Sequence, residues 1–197
     1  NKEEDEEEDE ESLKQKREEA RKQSMALEAT EFHGADDELY DYQGRTYMYC
    51  SPEHRKRASS KNYIPKKRVW QYIGHKQGVN AIKFMPRTGH LLLSASNDTT
   101  CKIWSVYDDD DQKRKCLRTY RGHSAGVRNI CFNRDGSKFL TTSYDGWIKL
   151  FDTETGKVHW RGTSGTLAFN AKFYPENENE FLCGQKNKIA VQWDIRQ

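Results

Sequence analysis

Gly74-His75-Lys76-Gln77-Gly78-Val79 is echoed 48 residues later by Gly122-His123-Ser124-Ala125-Gly126-Val127. Phe84 recurs as Phe132 at the same shift, and Asp98 as Asp145 at a shift of 47. Six residues beyond each aspartate stands an aromatic residue, first Trp104 and then Phe151. A third unit repeats that interval with Asn187 and Trp193, and Phe169–Phe173 stands in it where Val79–Phe84 stood in the first. Between these markers, short apolar runs are separated by Gly, Asn and Asp, the pattern of short strands joined by tight turns. Residues 70–197 divide into three units of about 43 residues, each enough for a four-stranded antiparallel sheet. One such sheet cannot bury both of its faces, so the units must stack.

The Gly-His dipeptide, the Ser-x-Asp turn and the terminal Trp193-Asp194 resemble WD40 repeats, whose period is ~40–45 residues. The resemblance implies an all-β fold, a WD40 β-propeller with about three blades of about seven present. It also implies a hydrogen-bonded tetrad in each of two blades: His75, Ser96, Asp98 and Trp104, then His123, Ser143, Asp145 and Phe151. The aspartate would hold the histidine, and the histidine would reach the serine. The Trp104 indole would complete the first network, whereas Phe151 has no N–H and the second would end early. Blade three places Gln185 and Asn187 at the Ser and Asp positions without a histidine, and is expected to rely on packing. Three blades cannot close a ring. Further blades are therefore expected beyond Gln197, and Val69-Trp70-Gln71-Tyr72 reads as the outer strand that fastens the closed ring. The chain starts at Asn1 without an initiator Met and is read as a piece of a longer protein.

His, Ser and Asp occurring together invite a catalytic reading. The same trio at the same offsets in two units argues for a brace instead, because a buried, satisfied polar network specifies a fold without doing chemistry. A P-loop is absent from the sequence. The expectation is a protein that is not an enzyme, with no cofactor and no small-molecule substrate. Cys50, Cys101, Cys116, Cys131 and Cys183 are odd in number and form no C-x-x-C, which suits buried thiols in a reducing compartment rather than disulfides or zinc. No run approaches 18 uninterrupted apolar residues, so no membrane span is expected.

Charge divides the chain. Residues 1–54 carry 18 acids against 7 Lys/Arg, and residues 55–197 carry 13 against 26. Residues 1–11 include nine consecutive acids and are expected to be disordered. Residues 12–30 open with Ser12 and continue in good helix formers, which predicts a short polar helix. Residues 31–54 hold Phe32, Tyr40, Tyr42, Tyr47 and Tyr49, many anchors on a segment too short for a core of its own. They predict either a loop folded back on the chain's own domain or, the sharper reading, an extended arm that docks on a partner. Residues 55–68 contain Arg55, Lys56, Arg57, Lys61, Lys66, Lys67 and Arg68 with no acid, and Tyr63 among them. This basic linker could be simply solvated, could serve as a nuclear-import signal, or could contact RNA phosphates or an acidic surface, with Tyr63 stacking on a base. Residues 69–197 form the first part of the propeller.

Ahead of the first blade lie Thr30-Glu-Phe-His-Gly34, Asp41-Tyr-Gln-Gly-Arg-Thr-Tyr47 and Tyr63-Ile-Pro-Lys-Lys67, and within it Gly89-His-Leu-Leu-Leu-Ser94. Taken together these resemble the WD40 splicing factors of the spliceosome that act around the second catalytic step. The resemblance implies a nuclear scaffold whose propeller docks on other spliceosomal proteins. Its N-terminal arm would reach toward the RNA core, in contact with spliceosomal RNA or pre-mRNA. A generic WD40 adaptor, such as a substrate receptor of a ubiquitin ligase, is the alternative; residues 1–68 show no F-box.

Overall fold

A computed structural model describes residues 19, 22, 25–26, 28–33, 40, 43–52, 66, 68, 70–106, 115–163 and 165–196. The acidic run, Tyr42, and Arg55, Lys56, Arg57, Lys61, Tyr63 and Lys67 lie outside the described residues.

Three antiparallel sheets follow one another. The first contains β2 (Val79–Phe84), β3 (Leu91–Ser96), β4 (Cys101–Ser105) and β5 (Cys116–Tyr120). The second contains β6 (Val127–Phe132), β7 (Lys138–Ser143), β8 (Trp147–Asp152) and β9 (Val158–Thr163). The third contains β10 (Ala168–Phe173), β11 (Glu180–Gln185) and β12 (Ala190–Asp194). Within each sheet consecutive strands are neighbours, the up-and-down order of a propeller blade.

Alternation decides which side chains meet. Leu91, Leu93 and Ala95 project from β3 toward blade two, where they bury against Val127, Ile130, Phe132, Phe139 and Phe151. The opposite face of blade two contributes Leu140, Ile148 and Leu150, which pack with Ala168, Ala171, Phe181 and Cys183 of blade three. A strand that is apolar on both faces, such as β7 with adjacent Phe139 and Leu140, is therefore the middle of a stack. At the outer face of blade one, Val79, Ile82 and Phe84 are exposed.

The hairpin turns between the second and third strands share a left-handed residue: Thr99 (φ 70°), Gly146 (φ 81°) and Lys188 (φ 67°). Only blade two supplies the residue without a Cβ there, so the other two turns hold side chains in a costly backbone region.

The N-terminal segment differs from the sharper expectation. Helical residues are found at Glu19, Lys22, Met25 and Ala26, but Thr30 is no helix end. It opens β1 (Thr30–Phe32), which pairs antiparallel with β5 and adds a fifth strand to blade one. Phe32 and Tyr47 stack on each other, their ring centroids 6.1 Å apart, and both lie against the Arg118 guanidinium. The Tyr47 hydroxyl donates to the Thr153 carbonyl (2.6 Å) in blade two. These two arm anchors bind the chain's own propeller. The physical reason is that β5 is an outer edge with unpaired backbone groups, which a short neighbouring strand satisfies. Tyr40 and Tyr49 are exposed. Residues 70–72, expected in a closing strand, form no strand; Tyr72 instead sets its ring edge-on to Trp104, 5.6 Å between centroids. A closing strand needs another blade's edge to pair with, and among the described residues none meets it.

Candidate functional site

The polar centre of blade one starts from the hairpin turn. Asp98 Oδ1 accepts from the Thr100 backbone N–H (3.0 Å) and hydroxyl (2.7 Å), while its Oδ2 accepts from the Lys76 N–H (2.9 Å). Fixed in this way, Oδ2 also lies 2.8 Å from His75 Nδ1. A carboxylate can only accept, so Nδ1 carries a proton and donates to it. The Ser94 hydroxyl meets Nε2 at 2.7 Å, and Trp104 Nε1 donates to the same oxygen at 2.8 Å. The Ser94 oxygen thus joins the indole, the imidazole and the Lys102 carbonyl, to which it donates (3.3 Å). Gly74 is required beside His75 because a Cβ there would stand 2.9 Å from the Trp104 ring.

Blade two repeats the beginning and changes the end. His123 Nδ1 lies 2.8 Å from Asp145 Oδ2, and Nε2 lies 2.7 Å from the Thr141 hydroxyl. Asp145 also accepts from the backbone of Ser124 (3.1 Å) and Trp147 (2.9 Å). Phe151 donates nothing and stacks on Phe139, centroids 5.3 Å apart and planes 11° from parallel. Beside it Lys149 is fully buried and donates to the Gly122 carbonyl (2.6 Å) and to Glu28 (2.8 Å). Arg161 adds a second cation 3.2 Å from the same Glu28 carboxylate.

The hydroxyl of the tetrad is Ser94 and Thr141, not Ser96 and Ser143. The two expected serines brace the turn: Ser96 accepts from the Asp98 N–H and donates to the Gln77 carbonyl, and Ser143 accepts from the Asp145 N–H and donates to Ala125 and Gly126. Residues two apart share a strand face, and Ser94/Thr141 and Ser96/Ser143 recur at the same shift of 47. Spacing therefore cannot separate the pairs. Depth can, because in the ladder Leu92 faces Trp104 and Ser94 faces Lys102, which sets Ser94 closest to the indole.

In blade three Cys183 occupies the hydroxyl position. Gln185 approaches its sulfur at 3.7 Å and accepts from Thr166. Trp193 Nε1 is buried without a hydrogen-bond partner among the described residues, and the ring is held by stacking on Phe181 and edge contact with Trp160.

Burial pushes the carboxyls of Asp98 and Asp145 up, but hydrogen bonds outweigh it and hold both below the ordinary carboxylate range. Thr100, Lys76 and His75 provide those bonds at Asp98, and chiefly His123 at Asp145. Each imidazole is saturated on both nitrogens by protein groups. Among the described residues no group of three or more His, Cys, Asp or Glu could hold a metal ion. Of the basic linker, Lys66 and Arg68 are described, and both are exposed. All five cysteines are free thiols, and burial pushes that of Cys101 well up.

Residues 66–105 and 114–152 match the family described as WD domain, G-beta repeat. The chain carries WD40 repeats. Both matched stretches end at or beside the aromatic residue of a tetrad, and the third WD40 unit, which lacks a tetrad, lies outside them. Over 166 residues the chain is 45% identical to mouse Pre-mRNA-processing factor 17 and 44% identical to the human protein of that name, covering 81% of this chain and 28% of each relative. The Saccharomyces cerevisiae protein of the same name is 38% identical over 174 residues, covering 86% of this chain and 37% of the relative. The chain thus spans about a third or less of the length of these relatives. Among solved structures, the β-propeller domain of Cps50 (Swd1) from Myceliophteria thermophila superposes with a TM-score of 0.56 at 22% identity, over 62% of this chain and 37% of that one. That likeness concerns the β-propeller fold alone.

Proposed function

We propose that the chain is part of a non-enzymatic splicing factor of the nucleus, a WD40 scaffold that acts in the spliceosome around exon ligation. The observation that carries this reading is the 38–45% identity to Pre-mRNA-processing factor 17 of mouse, human and yeast over more than four fifths of the chain. It extends through the N-terminal segment as well as the blades, so it is more than a shared repeat. The site geometry supports the non-enzymatic part: the His75–Asp98 and His123–Asp145 pairs are turned inward, and both nitrogens of each imidazole are hydrogen-bonded to protein groups. In this reading the propeller docks on other spliceosomal proteins, and its stacked blades are the rigid support. The segment that reaches toward RNA starts from the basic linker, because Phe32 and Tyr47 are engaged on blades one and two. The test is co-purification of the tagged protein from nuclear extract. Recovery of small nuclear RNAs is the expected result. Recovery of a cullin scaffold without small nuclear RNA would replace this reading with that of a ubiquitin-ligase adaptor.

A further inference from the structure

The first strand of every blade carries a register break at the same place: between Val79 and Ala81, Val127 and Asn129, and Ala168 and Asn170. A bulge releases its extra residue from the ladder and re-aims the side chain. The three released residues, Asn80, Arg128 and Phe169, are linked from blade to blade. Asn80 Nδ2 donates to the Val127 carbonyl at 2.8 Å, and the Arg128 guanidinium lies over the Phe169 ring, 4.5 Å from its centroid. With Asn129, Tyr144 and Asn170 they enclose a cavity of about 380 Å³.

Its chemistry is unusual for a surface that only packs. Phe169 is 37% exposed and Tyr144 42%. Arg128 donates to the Tyr144 hydroxyl (2.6 Å), which leaves the phenolic proton free to donate outward, and no carboxylate pairs with Arg128 among the described residues. Asn129 Oδ1 is buried with no hydrogen-bond partner among the described residues. The cavity therefore offers flat π faces, a cation, and amide donors and acceptors side by side.

We propose that this cavity binds an unpaired nucleobase of single-stranded RNA. Unstacked bases are held by stacking on aromatic rings and guanidinium planes and by hydrogen bonds along their edges. An acidic peptide would satisfy Arg128 but set a carboxylate against the unpaired Asn129 oxygen, whereas a base edge presents donors as well as acceptors. Arg128 then also stands where the phosphate flanking the base passes. The proposal rests on the splicing reading for its choice of RNA, and it adds a base contact on the blades to the phosphate contact of the basic linker.

The test is fluorescence anisotropy of the full chain with a single-stranded RNA of about 12 nucleotides, against an abasic ribose-phosphate chain of equal length. The expected result is tighter binding of the RNA, reduced by Phe169→Ala by about 5- to 100-fold, toward the abasic level. Phe169→Leu keeps the bulk, removes the ring and serves if the alanine variant misfolds. Ultraviolet crosslinks should map to Tyr144 or Phe169. Equal affinity for the RNA and the abasic chain, crosslinks confined to residues 55–68, or Phe169-dependent binding of a glutamate-rich peptide in place of RNA would each overturn the proposal. Co-purification with small nuclear RNAs through protein partners survives Phe169→Ala, so failure here leaves the splicing reading standing.

Discussion

Blades one and two contain the same histidine–aspartate brace in different settings. In blade one it lies beneath the Tyr72 segment on the outer face of the stack and ends on an indole N–H. In blade two it is enclosed between two sheets, ends on a stacked phenylalanine, and is backed by a buried lysine that the N-terminal Glu28 neutralises. The difference teaches that the conserved geometry of a repeat is its hinge on the aspartate turn. Whatever closes the far end can be exchanged, provided that each buried donor and charge still finds a partner.

The largest expected effect tests that enclosure. Asp145→Ala leaves His123 unpaired between two sheets and should cost about 3 kcal/mol in denaturant unfolding, against about 1–2 kcal/mol for Asp98→Ala. Equal losses would break the comparison. Both folded carboxyls titrate below their unfolded value near 4. Their contribution is therefore complete above about pH 4 and is lost as pH falls further. Asp98→Asn and Asp145→Asn should each flatten the stability profile in that acid window and leave its shape near neutrality unchanged.

Next in size is the charge layer of blade two, Lys149 and Arg161 around Glu28. Burial lowers the Lys149 pKa and Glu28 opposes that shift. Glu28→Ala should cost about 2–3 kcal/mol by leaving the ammonium uncompensated, while Lys149→Met with Glu28→Ala together should recover most of the loss. Thermal melts of the two variants check this, and no recovery in the double variant would place the loss in β1 pairing instead.

A smaller effect separates the two hydroxyl positions. Ser94→Ala removes the acceptor of a buried indole and the partner of His75, and should cost about 2 kcal/mol. Ser96→Ala should cost about 1 kcal/mol, because the Asp98 N–H and the Gln77 carbonyl that it frees lie where water can reach them. The reverse order would return the tetrad to Ser96.

The smallest effect has the opposite sign. Thr99→Gly relieves a left-handed β-branched residue and should stabilise by about 1 kcal/mol, whereas Gly146→Ala in the matching turn should destabilise by a similar amount. A calorimetric midpoint that fell in both variants would show that the Thr99 side chain compensates for its backbone.

The blades were readable because a repeat states its own period. Gly-His, the Asp turn and the aromatic residue recur at offsets set by strand length, and strand length is local. The division of blade three from the others was readable for the same reason, since a missing histidine is visible in a row of letters. The tetrad hydroxyl was not readable: Ser94 and Ser96 share a face and a period, and only the ladder shows which lies beside Trp104. The target of Phe32 and Tyr47 was equally silent, because aromatic residues on a short segment bury themselves wherever an edge is available.

From sequence alone, then, came the properties that depend on spacing along the chain: sheet-forming units, their period, their turns, and the split of charge between its two ends. Tertiary structure decided the properties that depend on distance in space. It set β1 against β5, buried Lys149 beside Glu28, and aligned three bulges so that Asn80, Arg128 and Phe169 meet. The physical reason is that local propensity is encoded residue by residue, whereas partners far apart in the chain are chosen by which unpaired backbone groups, charges and apolar faces the folded blades leave in reach.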